Sequence, residues 1–372
     1  MSKPIYVTQP FLPELSEFIP YLEQIWQNKI LTNGGPIHQQ LENELADYLG
    51  VNHVCLFNNG TNALFTALQA LELSGEVITT PYSFVATSHA IMWNKLTPVF
   101  VDVCPKSLNL DPYKIEAAIT ENTTAIMPVH CYGNPCDTEA IEQIAKKHNL
   151  KVLYDAAHAF GVQDKAGSVL NHGDLSVLSF HATKVFNTFE GGAIICHTDA
   201  MKQKVNELKN FGIHSETEVT AIGSNGKMSE INAAFGLVQL KHIDEAIAQR
   251  KTIDERYREQ LSQIKGIHCL PLTGQTASNY SYFPILVTGD YPLTRDELYE
   301  KLKQNNVFAR RYFYPLISEF EMYSELPTAA KDNLPIASKA AQQVLCLPIY
   351  AALAEEQQRK IIEVVFNGQA VK

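Results

Sequence analysis

The chain has 372 residues, 45% hydrophobic and 19% charged, so it is long enough for two packed domains or one large one and has too little charge for a disordered protein. Its 40 acidic residues outnumber its 30 basic residues, which gives a net charge of −10. A surface of that sign repels phosphate backbones, and no basic stripe offsets it, so a nucleic-acid-binding protein is excluded.

The first residues lack the apolar run of a signal peptide, and no stretch reaches the roughly 18 apolar residues of a membrane span. We therefore expect no membrane association. The seven cysteines form no CxxC pair, and Cys131 and Cys136, the closest two, lack further ligands at zinc-site spacing. The cysteine pattern favours free thiols in a reducing cytoplasm and predicts no metal site.

After an N-terminal arm (1–30), short apolar runs alternate with helical patterns up to about residue 200. The predicted strands are 51–57, 76–80, 97–103, 124–130, 150–155, 175–181 and 191–197. The predicted helices between them are 58–73, 83–93, 112–119 and 137–148. Buried parallel strands give continuous apolar runs, and helices between them imply crossover connections. The pattern predicts an α/β fold with a large, mostly parallel sheet.

The remaining chain is organised differently. A long helical pattern covers 227–264, and it is followed by strand 280–287, capped helix 293–306, strand 307–316 and a helical stretch over 333–365. This order predicts a smaller α+β domain. We place the N-terminal arm and the large domain in 1–245 and the small C-terminal domain in 246–372.

Gly60, Thr61 and Asn62 stand between a predicted strand and a predicted helix. The free amides and the dipole at such a helix start bind a phosphate well. The ordinary alternative is a helix cap without any ligand, and caps of this kind are common.

Asp155 ends the apolar strand LKVLYD, at the edge of the sheet where α/β proteins bind ligands, and His158 follows it closely. Lys184 lies among apolar and aromatic residues after the next strand. Desolvation of a lysine lowers its pKa and frees the amine to form a Schiff base. Taken singly, these residues also fit a strand-end cap, a buried core histidine and an exposed loop lysine.

Together these residues meet the requirements of pyridoxal 5′-phosphate. Its phosphate needs a helix N-terminus, its ring nitrogen a carboxylate and its aldehyde a lysine. Phe84, in PYSFVATSHA, is placed to stack on the ring.

The chain resembles the DegT/DnrJ-type sugar aminotransferases, which have the aspartate aminotransferase-like fold type I of the pyridoxal phosphate enzymes. The resemblance rests on motifs in the same order over nearly the whole length: LTNGGPIHQQLENELADYLG, NNGTNAL, PYSFVATSHAI, YDAAHAFG, SFHATKVFNTFEGGAI, NGKMSEINAAFGLVQL and ARRYFYPL. It implies that Lys184 binds the cofactor's aldehyde, Asp155 its ring nitrogen and His158 its ring oxygen. It also implies that Thr61, Asn62 and Ser179 bind the phosphate.

The resemblance further implies a homodimer with shared active sites, in which Asn225 reaches the partner's cofactor phosphate. Where many members have NYRM, this chain has Asn225-Gly226-Lys227-Met228, so Lys227 replaces an arginine and the bidentate fork is lost. Ile317 likewise stands where many members have a histidine. Arg310, Tyr312 and Tyr314 alternate in the predicted strand 307–316, so we expect them to face one side and line the sugar or diphosphate pocket.

RRYFYPLIS and SFHATKVFNT most resemble the branch that makes 4-amino-4,6-dideoxyglucose on a deoxythymidine diphosphate carrier. The implied function is transamination of a nucleotide-linked 4-keto-6-deoxyhexose with L-glutamate as amino donor. The alternatives are a 3-keto-sugar or UDP-4-keto-sugar aminotransferase and a non-catalytic protein that keeps the fold. A sugar dehydratase of the same fold fits poorly, because those relatives carry histidine where Lys184 stands.

Overall fold

The computed structural model describes residues 3–368. The α-helices are α1 Leu15–Asn28, α2 Pro36–Leu49, α3 Gly60–Ala70, α4 Ala86–Trp93, α5 Pro112–Ile115, α6 Thr138–His148, α7 Asp199–Leu208, α8 Glu230–Leu261, α9 Arg295–Gln304, α10 Glu321–Ser324, α11 Pro335–Gln343 and α12 Glu355–Phe366. The strands are β1 Ile5–Tyr6, β2 His53–Phe57, β3 Glu76–Thr79, β4 Thr97–Phe100, β5 Thr123–Met127, β6 Lys151–Asp155, β7 Gln163–Asp164, β8 Gly167–Ser168, β9 Leu175–Ser179, β10 Gly192–Cys196, β11 Ile213–Ser215, β12 Glu218–Val219, β13 Ile267–Cys269, β14 Phe283–Val287, β15 Val307–Phe308 and β16 Val344–Leu347.

Seven strands form the main sheet in the order β2-β10-β9-β6-β5-β3-β4. Only β10 runs against its neighbours, so the other six strands end at the same edge. The large, mostly parallel sheet predicted from the sequence is therefore confirmed. The strands β2, β3, β6 and β9 all end at this edge. Most of the predicted site residues lie at the ends of these four strands or in the segments that follow them.

Helix α8 is continuous over 32 residues and packs in two apolar clusters. Its first half, including Phe235 and Ile243, packs with α1, α2 and one face of the main sheet. Its second half, including Tyr257 and Leu261, packs with the small C-terminal sheet and α12. The predicted boundary between residues 245 and 246 falls inside this helix. We propose that the two apolar clusters belong to two domains that share this helix.

The small sheet has the antiparallel order β13-β14-β16. Beside it, β1 of the N-terminal arm pairs in parallel with β15, and Ile5 is buried in the same apolar cluster. The arm thus packs with the C-terminal region.

The predicted strand 307–316 is wrong beyond Phe308. After β15, the backbone of Arg310 pairs with Cys346 in an isolated bridge, and the chain then turns at Tyr312 and Phe313. Pro315 has no N–H to donate to a ladder. Arg310, Tyr312 and Tyr314 consequently share no strand face, and that prediction is corrected.

The predicted helical stretch 333–365 is interrupted. It consists of α11, then β16, then α12. All four residues of β16 are buried and pair with β14, so the apolar run VLCL completes the small sheet. Pro348 then ends the run.

All seven cysteines are unpaired. Within residues 3–368, no helix is both long and apolar enough to cross a membrane.

Candidate active site

A cavity of about 250 Å³ lies at the carboxyl edge of the main sheet. Eight of the predicted site residues line it: Gly60, Thr61, Phe84, Asp155, His158, Ser179, Lys184 and Tyr312. One side, which we name the sheet wall, consists of Gly60, Thr61, Asp155, Ser179 and Lys184. A second group of lining residues, which we name the aromatic wall, consists of Tyr282, Tyr312 and Phe313 from the C-terminal region.

The start of α3 provides an anion-binding site in the sheet wall. Asn59 has an extended backbone and caps the helix, because its Oδ1 accepts the N–H of Asn62 at 2.8 Å. The N–H groups of Gly60 and Thr61 belong to the first turn, where no intrahelical acceptor is available. A Cβ atom on Gly60 would lie only 3.0 Å from Cβ of Ser179, so a larger residue here would have to push Ser179 away.

Asn62 does not line the cavity. Its side-chain amide donates to Oδ1 of Asn58 at 2.9 Å, and its backbone N–H is taken by Asn59. One of its two amide protons and its backbone N–H are thus used at the start of the helix, and its contact with the phosphate stays a prediction.

Asp155 is the last residue of β6 and is only 4% exposed. Its Oδ2 accepts the hydroxyl of Thr87 at 2.8 Å, and its Oδ1 accepts the N–H of Ala157 at 3.1 Å. Burial raises the pKa of this carboxyl group, while these two hydrogen bonds and the charge of Lys184 act in the opposite direction.

Lys184 lies between β9 and β10. Burial lowers the pKa of its amine to about 8, and the nearby Asp155 carboxylate offsets part of that effect. Its Nζ lies 3.5 Å from the hydroxyl of Tyr282. The amine is thus much closer to its neutral, nucleophilic form at neutral pH than an exposed lysine is.

His158 is held as a neutral imidazole with a defined tautomer. The backbone N–H of Tyr132 donates to its Nδ1 at 3.2 Å, so Nδ1 carries no proton. Burial, with a smaller effect of Lys184, keeps the pKa of His158 well below its usual value. The proton therefore resides on Nε2, which makes that atom a hydrogen-bond donor.

Phe84 follows β3 and lines the cavity with a ring that is 59% exposed. Such a large exposed apolar surface beside a cavity is available to stack on a flat ligand.

Besides Asn62, four predicted residues do not line this cavity. Asn225 is exposed, and its carbonyl accepts the side-chain amide of Asn58 at 3.2 Å. Nζ of Lys227 donates to Oδ1 of Asn210 at 2.7 Å and lies 4.6 Å from the centre of the Phe211 ring.

Arg310 and Tyr314 likewise lie outside the cavity. Arg310 is exposed, and the Tyr314 ring lies 4.5 Å from the guanidinium of Arg295. Of the three residues predicted to share a face, only Tyr312 reaches the cavity.

Sequence reasoning missed Tyr282, Thr87 and Tyr132. Tyr282 was included in the predicted strand 280–287, but β14 begins at Phe283, so Tyr282 lies immediately before the strand. Thr87 and Tyr132 contact Asp155 and His158 through tertiary structure, for which no local signal exists. Thr87 lies within the motif PYSFVATSHA, but nothing in that motif indicated its contact with Asp155.

The residues of the sheet wall fit pyridoxal phosphate. Two open N–H groups, a buried carboxylate and an amine of lowered pKa match its phosphate, ring nitrogen and aldehyde. The Nε2 proton of His158 adds a donor suited to the ring oxygen.

Residues 14–366 match the DegT/DnrJ/EryC1/StrS aminotransferase family. The chain is 60% identical, over 365 residues covering 98% of this chain and 99% of the relative, to the dTDP-4-amino-4,6-dideoxy-D-glucose transaminase of Shigella dysenteriae.

Two solved structures have closely similar folds. The structure of DesI in the presence of its TDP-sugar product superposes with a TM-score of 0.94 at 33% identity, covering 99% of this chain and 94% of that one. NtdA from Bacillus subtilis with bound cofactor PMP superposes with a TM-score of 0.88 at 29% identity, covering 98% and 86%.

Proposed function

The chain belongs to the DegT/DnrJ/EryC1/StrS aminotransferase family, and from that premise we propose the substrates it acts on and the residues that act on them. Members of this family depend on pyridoxal phosphate, and the fold type I architecture predicted from the sequence is confirmed. The enzyme is thus a pyridoxal phosphate-dependent nucleotide-sugar aminotransferase.

We propose that it transfers the amino group of L-glutamate to dTDP-4-keto-6-deoxy-D-glucose, giving dTDP-4-amino-4,6-dideoxy-D-glucose and 2-oxoglutarate. The single observation that carries this substrate is the 60% identity, over 98% of the chain, to a transaminase named for that product. The unpaired cysteines support the cytoplasm as its compartment.

When bound, pyridoxal phosphate withdraws electrons from the carbon that loses its proton. Gly60, Thr61 and Ser179 are proposed to bind its phosphate and Phe84 to cover its ring. Asp155 would accept a hydrogen bond from the protonated ring nitrogen, and Nε2 of His158 would donate to the ring oxygen.

Lys184 is the proposed proton carrier. Its amine, with a pKa of about 8, would be basic enough to take the proton from the substrate's α-carbon and, once protonated, acidic enough to pass it on to the cofactor's aldehyde carbon. Tyr312, across the cavity, is proposed to contact the sugar. Four other predicted residues do not line the cavity. They would contact a ligand only if their side chains rearranged or if the ligand extended beyond the cavity: Asn62, Lys227, Arg310 and Tyr314.

We also propose a homodimer in which Asn225 completes the partner's phosphate site. The segment before it carries exposed apolar side chains, with Ile222 90% exposed and Val219 and Phe211 also exposed. Exposed apolar patches of this kind are typical of protein interfaces. The side chain of Asn225 is exposed and does not line the cavity of its own chain, which leaves it available to a second copy.

Subunit exchange tests the shared site. Lys184→Ala is expected to have little activity because it lacks the proposed proton carrier. Asn225→Ala is also expected to have little activity, since loss of a hydrogen bond to a charged phosphate costs about 1.5–3 kcal/mol. In a mixed dimer one site has both defects and the other has none. Mixing should therefore restore activity to about one quarter of wild type in a symmetric dimer with half heterodimers.

Mixing Lys184→Ala with Asp155→Asn is the matched control, because both residues line the cavity of one chain. That mixture should restore nothing. If the Asn225 mixture behaves in the same way, Asn225 acts within its own chain and the proposal of a shared site fails.

The substrate is tested with purified enzyme, L-glutamate and a panel of keto-sugar nucleotides, with 2-oxoglutarate formation as the measurement. The highest kcat/KM is expected with dTDP-4-keto-6-deoxy-D-glucose. A higher value with a UDP-linked 4-keto sugar or a 3-keto sugar would reassign the substrate. No turnover with any of them would refute the proposed function.

A further inference from the structure

Two buried hydroxyl groups form a hydrogen-bonded chain that ends on Asp155. Thr87 is fully buried, and its Oγ1 lies 2.8 Å from Oδ2 of Asp155. Ser83 is 5% exposed, and its Oγ lies 2.8 Å from Oγ1 of Thr87. Thr87 is in the first turn of α4, and its N–H bonds the carbonyl of Phe84 at 3.1 Å, so this chain of hydroxyls starts from a fixed backbone.

The direction of the two hydrogen bonds follows from their chemistry. An ionised carboxylate only accepts, so Thr87 gives its single hydroxyl proton to Asp155. Since that proton is used, the hydroxyl of Ser83 must donate to the oxygen of Thr87. Hydrogen bonds aligned in this way polarise one another and are stronger together than apart.

The carboxylate has only a few groups that favour its charge. Its Oδ1 accepts the N–H of Ala157 and its Oδ2 the hydroxyl of Thr87, and both act against the burial of the group. Without the hydroxyl of Thr87, Asp155 would hold a proton more tightly. It would then compete with a ring nitrogen for the proton that they share.

We propose that Thr87, supported by Ser83, is a positioning residue that keeps Asp155 ionised and oriented so that the ring nitrogen of the bound cofactor stays protonated. This inference rests on the proposed function, because it takes the assignment of Asp155 to the ring nitrogen from there. Thr87 itself does not line the cavity, whereas Ser83 does, so the test compares the ratio of two affinities and not one affinity alone.

The test compares two ligands on the cofactor-free full-length protein. Pyridoxal phosphate and its 1-deaza analogue, in which C–H replaces the ring nitrogen, have the same phosphate and aldehyde. Their difference in Kd therefore isolates the contact with Asp155. The variants are Thr87→Val, which removes the hydroxyl, and Thr87→Ser, which keeps it. Thr66→Val is the matched control, because Thr66 is equally buried on α3 and its hydroxyl has no partner in the described part of the chain.

Thr87→Val should weaken pyridoxal phosphate binding about tenfold or more, since tenfold is the lower end of the effect of losing a hydrogen bond to a charged group. Its affinity for the deaza analogue should stay close to that of wild type. Thr87→Ser and Thr66→Val should preserve the wild-type ratio of the two affinities. Ser83→Ala should reduce that ratio in the same direction as Thr87→Val but by less.

Equal weakening of both ligands by Thr87→Val would show that Thr87 only packs against the site, and would overturn the inference. An unchanged ratio of the two affinities in Ser83→Ala would show that Ser83 does not support Thr87. Failure of the wild-type protein to prefer pyridoxal phosphate over the deaza analogue would instead overturn the assignment of Asp155 in the proposed function. The two failures are thus distinguishable.

Discussion

The two walls of the cavity differ in both chemistry and construction. The sheet wall carries ionisable groups with shifted pKa values, with Lys184 lowered to about 8 and Asp155 raised. The aromatic wall carries phenols: burial raises the pKa of Tyr282 and Tyr312, so both stay neutral. Proton transfer therefore belongs to the sheet wall, while the aromatic wall supplies shape and neutral hydrogen bonds.

The construction of the walls explains this division. In the sheet wall, Asp155 and Ser179 end strands, and Gly60, Thr61 and Lys184 lie in the segments that follow strand ends. The aromatic wall depends on packing between distant segments, such as the stacked rings of Tyr132 and Phe313 and the edge contact of Tyr82 with Phe313. Small changes on the sheet wall should stop the reaction, and small changes on the aromatic wall should only tune it.

The largest effect is expected for Lys184→Ala. Because the variant has no amine to move the proton, turnover should fall by at least about a thousandfold. The visible absorbance of the lysine-bound cofactor should also be lost. Lys165→Ala, at an exposed position, is the control and should leave both unchanged. Turnover within about tenfold of wild type, a barrier change of only about 1.4 kcal/mol, would exclude the role.

The second prediction concerns pH. Since burial lowers the pKa of Lys184 to about 8, its neutral amine should dominate above that pH in the cofactor-free enzyme. Labelling with an amine-specific reagent, followed by mass spectrometry, should show a midpoint near pH 8 for Lys184. Exposed lysines ordinarily have a pKa of about 10.4. A midpoint at that ordinary value would show that burial in the sheet wall does not lower the pKa of Lys184.

Tyr282→Phe removes the hydroxyl that lies 3.5 Å from Nζ of Lys184. A neutral hydrogen bond is worth about 0.5–1.5 kcal/mol, so kcat should fall by roughly two- to tenfold. Tyr280→Phe is the matched control, because Tyr280 lies two residues away and does not line the cavity. A loss comparable to that of Lys184→Ala would break the distinction between the walls by giving a phenol an essential proton-transfer role.

The smallest effect is expected within the pair Tyr312 and Tyr314. Tyr312→Phe should raise the KM for the sugar a few-fold through loss of a neutral hydrogen bond, about 1 kcal/mol, with an unchanged Tm. Tyr314→Phe should change neither value, since Tyr314 lies over Arg295 outside the cavity. A raised KM for Tyr314→Phe alone would show that the substrate binds beyond the aromatic wall.

The sequence predicted the sheet wall well, because its residues follow regular elements. Asp155 and Ser179 end strands whose apolar runs are clear, and parallel strands bring such ends together. The aromatic wall was predicted poorly. Tyr282 meets Lys184 across 98 residues of chain, and Tyr312 lies in a turn where period-2 alternation suggested a strand. Local patterns do not encode contacts of that range.

The pairing of β1 with β15 has a consequence for how the chain is made. Ile5 emerges from the ribosome early, whereas its partner Val307 follows about 300 residues later, a delay of roughly 15–60 s at ordinary rates of synthesis. Throughout that interval the first strand has no partner, and the C-terminal cluster that buries Ile5 does not yet exist. Completion of the small domain is thereby coupled to completion of the whole polypeptide, so a nascent chain cannot close this part of the fold before translation has nearly finished.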